Sequence, residues 1–268
     1  MAILVEACVD SVQGAIAAEQ AGAGRLELCA NLVEGGTTPS GGMLRAVHRC
    51  VRIPVFAMVR PRGGDFLYDA ADIEVMLRDI EFAKSCDIHG IVSGALNPNG
   101  TIDEDGTSAL IEAAHPLPFT FHRAFDATRD LDESLDALQA LGVQRVLTSG
   151  GAATAAEGAG MLARLVRRGG DRIVVMAGGG VRRDNVGEVV RAARVREVHL
   201  RGSRRADGRM LYRSDRVRLA RPFVPDDYAW EMTDADEIGA VVQAAQVAQA
   251  AQAAQAAQAA QAAVAPSR

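Results

Sequence analysis

The chain alternates short apolar runs with amphipathic stretches. Eight runs, at residues 3–9, 25–29, 54–59, 88–93, 118–121, 145–149, 172–177 and 197–200, are mostly Val, Ile, Leu and Phe. That composition belongs to strands buried on both faces. Helical patterns at 12–21, 72–85, 131–141, 155–168 and 185–193 lie between them. Several stop at glycine (Gly22, Gly142, Gly169-Gly170), which suits the left-handed residue just past a helix. Alternation of this kind predicts a parallel sheet, and eight units in roughly 200 residues predict a closed (β/α)8 barrel. An open doubly wound sheet would favour a Gly-x-Gly-x-x-Gly turn after the first strand. The first strand runs instead into Val9-Asp10-Ser11, where Asp10 or Ser11 is placed to cap a helix.

After Leu200 the rhythm breaks. The 201–225 stretch is rich in Arg and Asp and reads as loops with a short helix, and 234–246 as helix. Gln then recurs every third residue from Gln243 to Gln261. Three residues turn a helix by about 300°, so this stripe slips by about 60° per repeat and no lasting apolar face forms. The expected organisation is a single TIM-type α/β barrel over 1–246. A low-complexity Ala/Gln tail over 247–268, helical or disordered, follows with nothing to pin it to the core.

Composition adjusts this picture. Of 268 residues, 49% are apolar, but 49 are alanine, 14 of them between Ala244 and Ala265. The apolar fraction therefore overstates the core. Net charge is −5 with both signs interspersed, which gives no nucleic-acid footprint. There is no apolar run of membrane-spanning length. The N-terminus lacks a basic region and reaches Glu6 early, unlike a signal peptide. Cys8, Cys29, Cys50 and Cys86 are far apart without a Cys-x-x-Cys, as expected of reduced thiols. The expectation is an intracellular protein without nucleic-acid or membrane partners and without an organic cofactor.

In such barrels the chemistry collects at the C-terminal ends of the strands, and ionisable residues gather there. Period-two geometry puts Glu6 and Cys8 on one face of the first strand, and Arg25, Glu27 and Cys29 on one face of the second. If inward, these residues form either an internal ion-pair network or a site. Arg60 and Arg62, held by Pro61 and followed by Gly63-Gly64, suit a carboxylate or phosphate. The alternative is a loop paired with Asp65. His122 is the general acid/base candidate, since an unperturbed imidazole titrates near neutrality. Glu6 or Glu27 is its partner in proton exchange. Ser149, the Gly178-Gly179-Gly180 turn and Ser203 follow strands six, seven and eight, where backbone N–H groups often bind phosphate.

Several of these segments resemble the CutC copper-homeostasis family: Glu6-Ala-Cys-Val-Asp-Ser11, Arg25-Leu-Glu-Leu-Cys29, Glu34-Gly-Gly-Thr-Thr-Pro-Ser40, Arg60-Pro-Arg-Gly-Gly-Asp-Phe-Leu-Tyr68 and Phe119-Thr-Phe-His-Arg-Ala-Phe-Asp126. Arg145-Val-Leu-Thr-Ser-Gly150 and Val174-Val-Met-Ala-Gly-Gly-Gly180 do so too. The likeness spans about residues 3–245. It implies a TIM-type barrel, a cytoplasmic homo-oligomer and copper binding, with Cys8 and Cys29 matching the family's proposed thiols. Soft thiolates suit Cu(I). The resemblance leaves Arg60, Arg62, His122, Ser149 and the triple glycine without a role.

Three functions stay open. One is a cytoplasmic Cu(I)-binding protein using Cys8 and Cys29. A second is an enzyme acting on a small phosphate- or carboxylate-bearing substrate, with Arg25, Arg60 and Arg62 among its binding residues. The third is a non-catalytic binding barrel with the Arg-rich 201–221 stretch as its partner surface.

Overall fold

The computed structural model describes residues 2–217 and 226–264, with side chains to 258. Eight parallel strands close a barrel in chain order. They are β1 (Leu4–Val9), β2 (Arg25–Leu28), β3 (Val55–Met58), β4 (Gly90–Ser93), β5 (Phe119–Phe121), β6 (Arg145–Thr148), β7 (Val174–Ala177) and β8 (Glu197–Leu200). Helices α1 (Val12–Gln20), α2 (Gly41–Cys50), α3 (Ala70–Lys84), α4 (Glu104–Ala114), α5 (Leu131–Ala140), α6 (Ala159–Gly169) and α7 (Val186–Ala193) fill the connections. Ser11, not Asp10, caps α1, its hydroxyl accepting from the Gly14 N–H.

Helices α2 and α4 were not among the expected segments. Helix α2 opens on Gly41-Gly42 and buries only Leu44 and Val47, while α4 buries Thr107, Leu110 and Ala114. Gly41-Gly42 at the start of α2 and Gly106-Thr107-Ser108 within α4 read from the sequence as turn rather than helix.

The main core lies between strands and helices, where Leu26, Leu28, Ile80, Ile91, Leu135 and Leu162 are buried. The lumen is different. Barrel closure sets Glu6 opposite both Arg25 of β2 and His199 of β8, and Cys8 opposite Glu27. Charged side chains therefore fill the middle of the barrel, where branched apolar residues usually stack.

After β8 the chain makes a hairpin of β9 (Ser203–Asp207) and β10 (Ala229–Thr233). It then enters α8 (Ala235–Val264). Part of the 201–221 partner surface, residues 218–221, lies outside the described residues.

Helix α8 runs unbroken past residue 247, and it is pinned there. Ile238, Val241, Ala245 and Ala248 form a buried stripe. Gln246 donates to the Ile3 carbonyl (2.8 Å), Gln249 accepts from the Ile3 N–H (3.0 Å), and Gln252 donates to the Val190 carbonyl (3.0 Å). Alanine lets the helix approach closely, and three successive glutamines reach the barrel before the stripe rotates away. Residues 253–258 are exposed. Among the described residues no helix is long and apolar enough to cross a membrane.

Candidate functional site

The floor of the site is a charge-balanced quartet. Arg25 bonds Glu6 through Nε and Glu197 through Nη2 (2.5 Å). Arg145 holds Glu197 through Nε (2.6 Å) and Nη2 (3.1 Å). Both guanidiniums lie over the Phe56 ring. Two carboxylates and two guanidiniums satisfy one another where a lone charge would be prohibitive. This corrects the expectation for Arg25. It is buried, its Nε and Nη2 are committed to Glu6 and Glu197, and it belongs to the floor rather than to the cavity lining.

Above the floor, His199 is the hinge of the arrangement. Its Nδ1 sits 2.8 Å from Glu6 Oε1, and its Nε2 faces Glu27 Oε2 at 3.8 Å. Cys8 Sγ, a Glu27 oxygen and a His199 ring nitrogen lie within 4.8 Å of one another. Cys29 sits two residues beyond the register partner of Cys8, yet its sulfur reaches within 3.7 Å of Cys8 Sγ. Glu27 Oε1 is buried without a hydrogen-bond partner.

The charges follow from these contacts. Burial pushes the Glu6 carboxyl up, but the His199 hydrogen bond and the charge of Arg25 outweigh it and bring the pKa to about 2. Glu6 is therefore a fixed anion that orients His199, not a proton exchanger near neutrality. Contact with Cys29, opposed by burial and helped by His199, brings Cys8 down to about 5. The same contact, together with burial, pushes Cys29 up. Burial and the charge of Cys8 push Glu27 well up. Burial lowers His199, but Glu27, Cys8 and Glu6 reverse this and raise it. Glu6 and Cys8 are thus held toward their anionic forms, Glu27 is pushed toward its neutral form and His199 toward its cationic form.

The cluster opens into a cavity of about 920 Å³ at the C-terminal mouth of the barrel, also lined by Arg60, His122, Arg123 and Gly179. His122 differs from the near-neutral group expected. Burial, then the charge of Arg60, lowers it to about 3, so the ring is neutral. Its Nδ1 accepts from the Ala124 N–H (3.3 Å), which leaves the proton on Nε2. That nitrogen is buried and unpartnered. The ring packs against Phe66. Glycine is required at Gly94, where a β-carbon would stand 2.9 Å from Nδ1.

The arginines of the β3 loop serve that loop. Arg60 donates to the carbonyls of Glu34, Gly36 and Gly64. Arg62 bonds Asp65, Asp72 and the Leu67 carbonyl. Ser149 is similarly engaged. Its N–H and hydroxyl, with the Gly151 N–H, surround the Asp126 carboxylate. Ser203 opens the exposed β9 strand, although it reaches the cavity rim. Gly178 is tied to Thr148. Gly179 and Gly180 have positive φ and line the cavity.

Fold and site together define a TIM-type barrel with thiols and an imidazole gathered above an ion-paired floor. The CutC family model matches residues 3–204. The chain is 43% identical over 235 residues to the copper homeostasis protein cutC homolog of Mus musculus, covering 88% of this chain and 86% of that one. It is 44% identical over 242 residues to a CutC family protein of Mesorhizobium japonicum (90% and 94%). The crystal structure of the CutC protein of Streptococcus agalactiae superposes with a TM-score of 0.70 at 35% identity, covering 74% of this chain and 97% of that one. The chain belongs to the CutC family.

His199, on the last strand, reads from the sequence as a structural histidine rather than as part of the candidate site. Nothing in its spacing links it to Cys8. The available signal was closure itself: in an eight-stranded barrel β8 pairs with β1, so Glu197 and His199 share the lumen with Glu6 and Cys8.

Proposed function

We propose that this protein serves copper homeostasis by binding Cu(I) through Cys8, Cys29 and His199, with Glu27 beside the site. The observation that carries this reading is the convergence of two sulfurs and a His199 ring nitrogen in one buried cluster. Two sulfurs 3.7 Å apart are within the reach of a single ion bound at about 2.3 Å to each. Soft donors favour Cu(I) over harder ions. Glu6 on Nδ1 of His199 is the carboxylate–histidine support common behind metal ligands. Loading would displace protons from Cys29 and His199 and leave Cys8 ready as a thiolate.

The test is an anaerobic titration of reduced protein with Cu(I) against a competing chelator. The expected result is tight binding of one ion, lost in Cys8→Ser with Cys29→Ser and weakened in His199→Asn. Tight binding in the double variant would overturn the assignment. Four free cysteines support a cytoplasmic setting. Exposed Met210, Leu211, Tyr212 and Trp230 at the β9–β10 hairpin support a homo-oligomer.

A second reading, an enzyme acting on a small anionic molecule, is favoured by one observation. The cavity is far larger than an ion requires, and His122 and Glu27, each with a buried polar atom lacking a partner, are among the residues that line it.

A further inference from the structure

One corner of the mouth is built for an oxyanion that the copper reading does not use. The turn after β7 carries Gly179 at φ 98° and Gly180 at φ 68°. Among the described residues, the N–H groups of Gly179, Gly180 and Val181 have no acceptor, whereas the neighbouring Gly178 N–H is bonded to Thr148 and that of Arg182 to Asn185. Successive amides in such a turn form an anion-binding concavity.

Arg123 lies against this turn. A β-carbon on Gly179 would stand 3.2 Å from its Cζ and Nη1. Its Nε is held by Asp126 (2.8 Å) and its Nη2 by Ser149 (3.0 Å). The guanidinium is thus fixed with Nη1 toward the amides. Arg182 and Arg201 add positive charge to the same wall, Arg201 near Asp10. On the acidic side, Asp234 caps α8 through the Asp236 N–H, Glu237 pairs with Arg183, and Glu231 stays at the rim.

The capping of α8 by Asp234 removes the loop-eight helix terminus as an anion site, and Asp126 already fills the loop-six amides. The β7 turn is left. A second feature points to a ligand in the same cavity: the buried Nε2–H of His122, on the residue next to Arg123, with no partner.

We propose that this corner binds the phosphate of a small phosphomonoester. The N–H groups of Gly179, Gly180 and Val181 and the Arg123 guanidinium hold the phosphate, and His122 Nε2–H donates to an oxygen of the ester's body. Three amides with a guanidinium match a tetrahedral oxyanion with several acceptor oxygens better than a planar carboxylate. The proposal rests on the small-molecule reading above and names its substrate class.

The experiment is calorimetric titration of the full-length reduced protein with inorganic phosphate at fixed ionic strength in chloride. Gly180→Asp and Gly180→Asn form the matched pair. Both side chains tolerate a positive φ, and the β-carbon of either would meet only Thr154, 3.1 Å from its Cγ2. Saturable phosphate binding is expected in wild type and Gly180→Asn, weakened by about tenfold or more in Gly180→Asp through like-charge repulsion. Equal affinity in the two variants, or no saturable binding over chloride, overturns the subsite.

Glycerol 3-phosphate and ribose 5-phosphate probe the body. At least one should bind more tightly than inorganic phosphate, with the gain lost in His122→Phe. In wild-type protein with isotopically labelled histidine, the His122 Nε2 resonance should move when that ester binds. A gain that survives His122→Phe, no gain for either ester, or an unmoved resonance removes His122 from the site. A bound ester that is never turned over leaves the subsite standing and removes the enzyme reading, so the two fail separately.

Discussion

At the scale of single residues, protonation here is set by neighbours rather than by residue type. His122 and His199 line one cavity yet are shifted in opposite directions. His122 meets apolar rings and the cation Arg60, and is driven neutral. His199 lies among Glu27, Cys8 and Glu6, which push its pKa up against burial. This has a consequence for stability. A histidine at about 3 in the folded chain and near 6.5 when unfolded binds more protons unfolded at every pH between those values. Its contribution to stability is complete above the upper value and falls as pH drops toward the lower one. His122→Phe should therefore flatten the loss of stability between about pH 6.5 and pH 3 by up to one proton's worth of slope, measured by denaturant titration across that range. An unchanged slope would mean that His122 is protonated in the folded protein. The residue was legible in the sequence as a mouth histidine. Its neutrality was not, because Arg60 and Phe66 reach it from a loop some sixty residues away in the chain.

At the scale of elements, the strands could be read from their apolar runs and five helices from their period. Helices α2 and α4 escaped because Gly41-Gly42 and Gly106-Thr107-Ser108 resemble turn sequence. The Ala/Gln stretch misled in an instructive way. Its glutamine stripe does slip around the helix, but a slipping stripe still faces the barrel for about one and a half turns. Gln246, Gln249 and Gln252 use that interval to bond the backbone of Ile3, Val190 and Arg191. Ending the chain at Ala253 should leave the melting temperature unchanged. Ending it at Gln246 removes two glutamine anchors and the burial of Ala248, a loss of about 2 kcal/mol or roughly 4–8 °C. Equal melting temperatures for the two truncations in a thermal scan would show that the docked turns contribute nothing.

At the scale of the whole molecule, closing the barrel turns dispersed residues into a site. Glu6 and His199 are 193 positions apart and adjacent in space. The charged quartet serves as a floor, and the soft donors and the open cavity lie above it. The sequence showed which strand ends carry polar groups. It could not divide them between structure and chemistry, since Arg25, Arg62 and Ser149 look as suited to a ligand as Arg123 does. Only their hydrogen-bond partners separate them. Arg145 and Glu197 went unnoticed at the starts of their strands, although they complete the ion pairing that lets Glu6 orient His199. The central claim is that Cys8, Cys29 and His199 act together on one copper ion. X-ray absorption at the copper edge, on protein loaded anaerobically with one equivalent of Cu(I), tests it most directly. The expected first shell holds two sulfurs and one imidazole nitrogen, falling to one sulfur in Cys29→Ser. A shell without sulfur, or one unchanged when Cys8 and Cys29 are both replaced by serine, would contradict it.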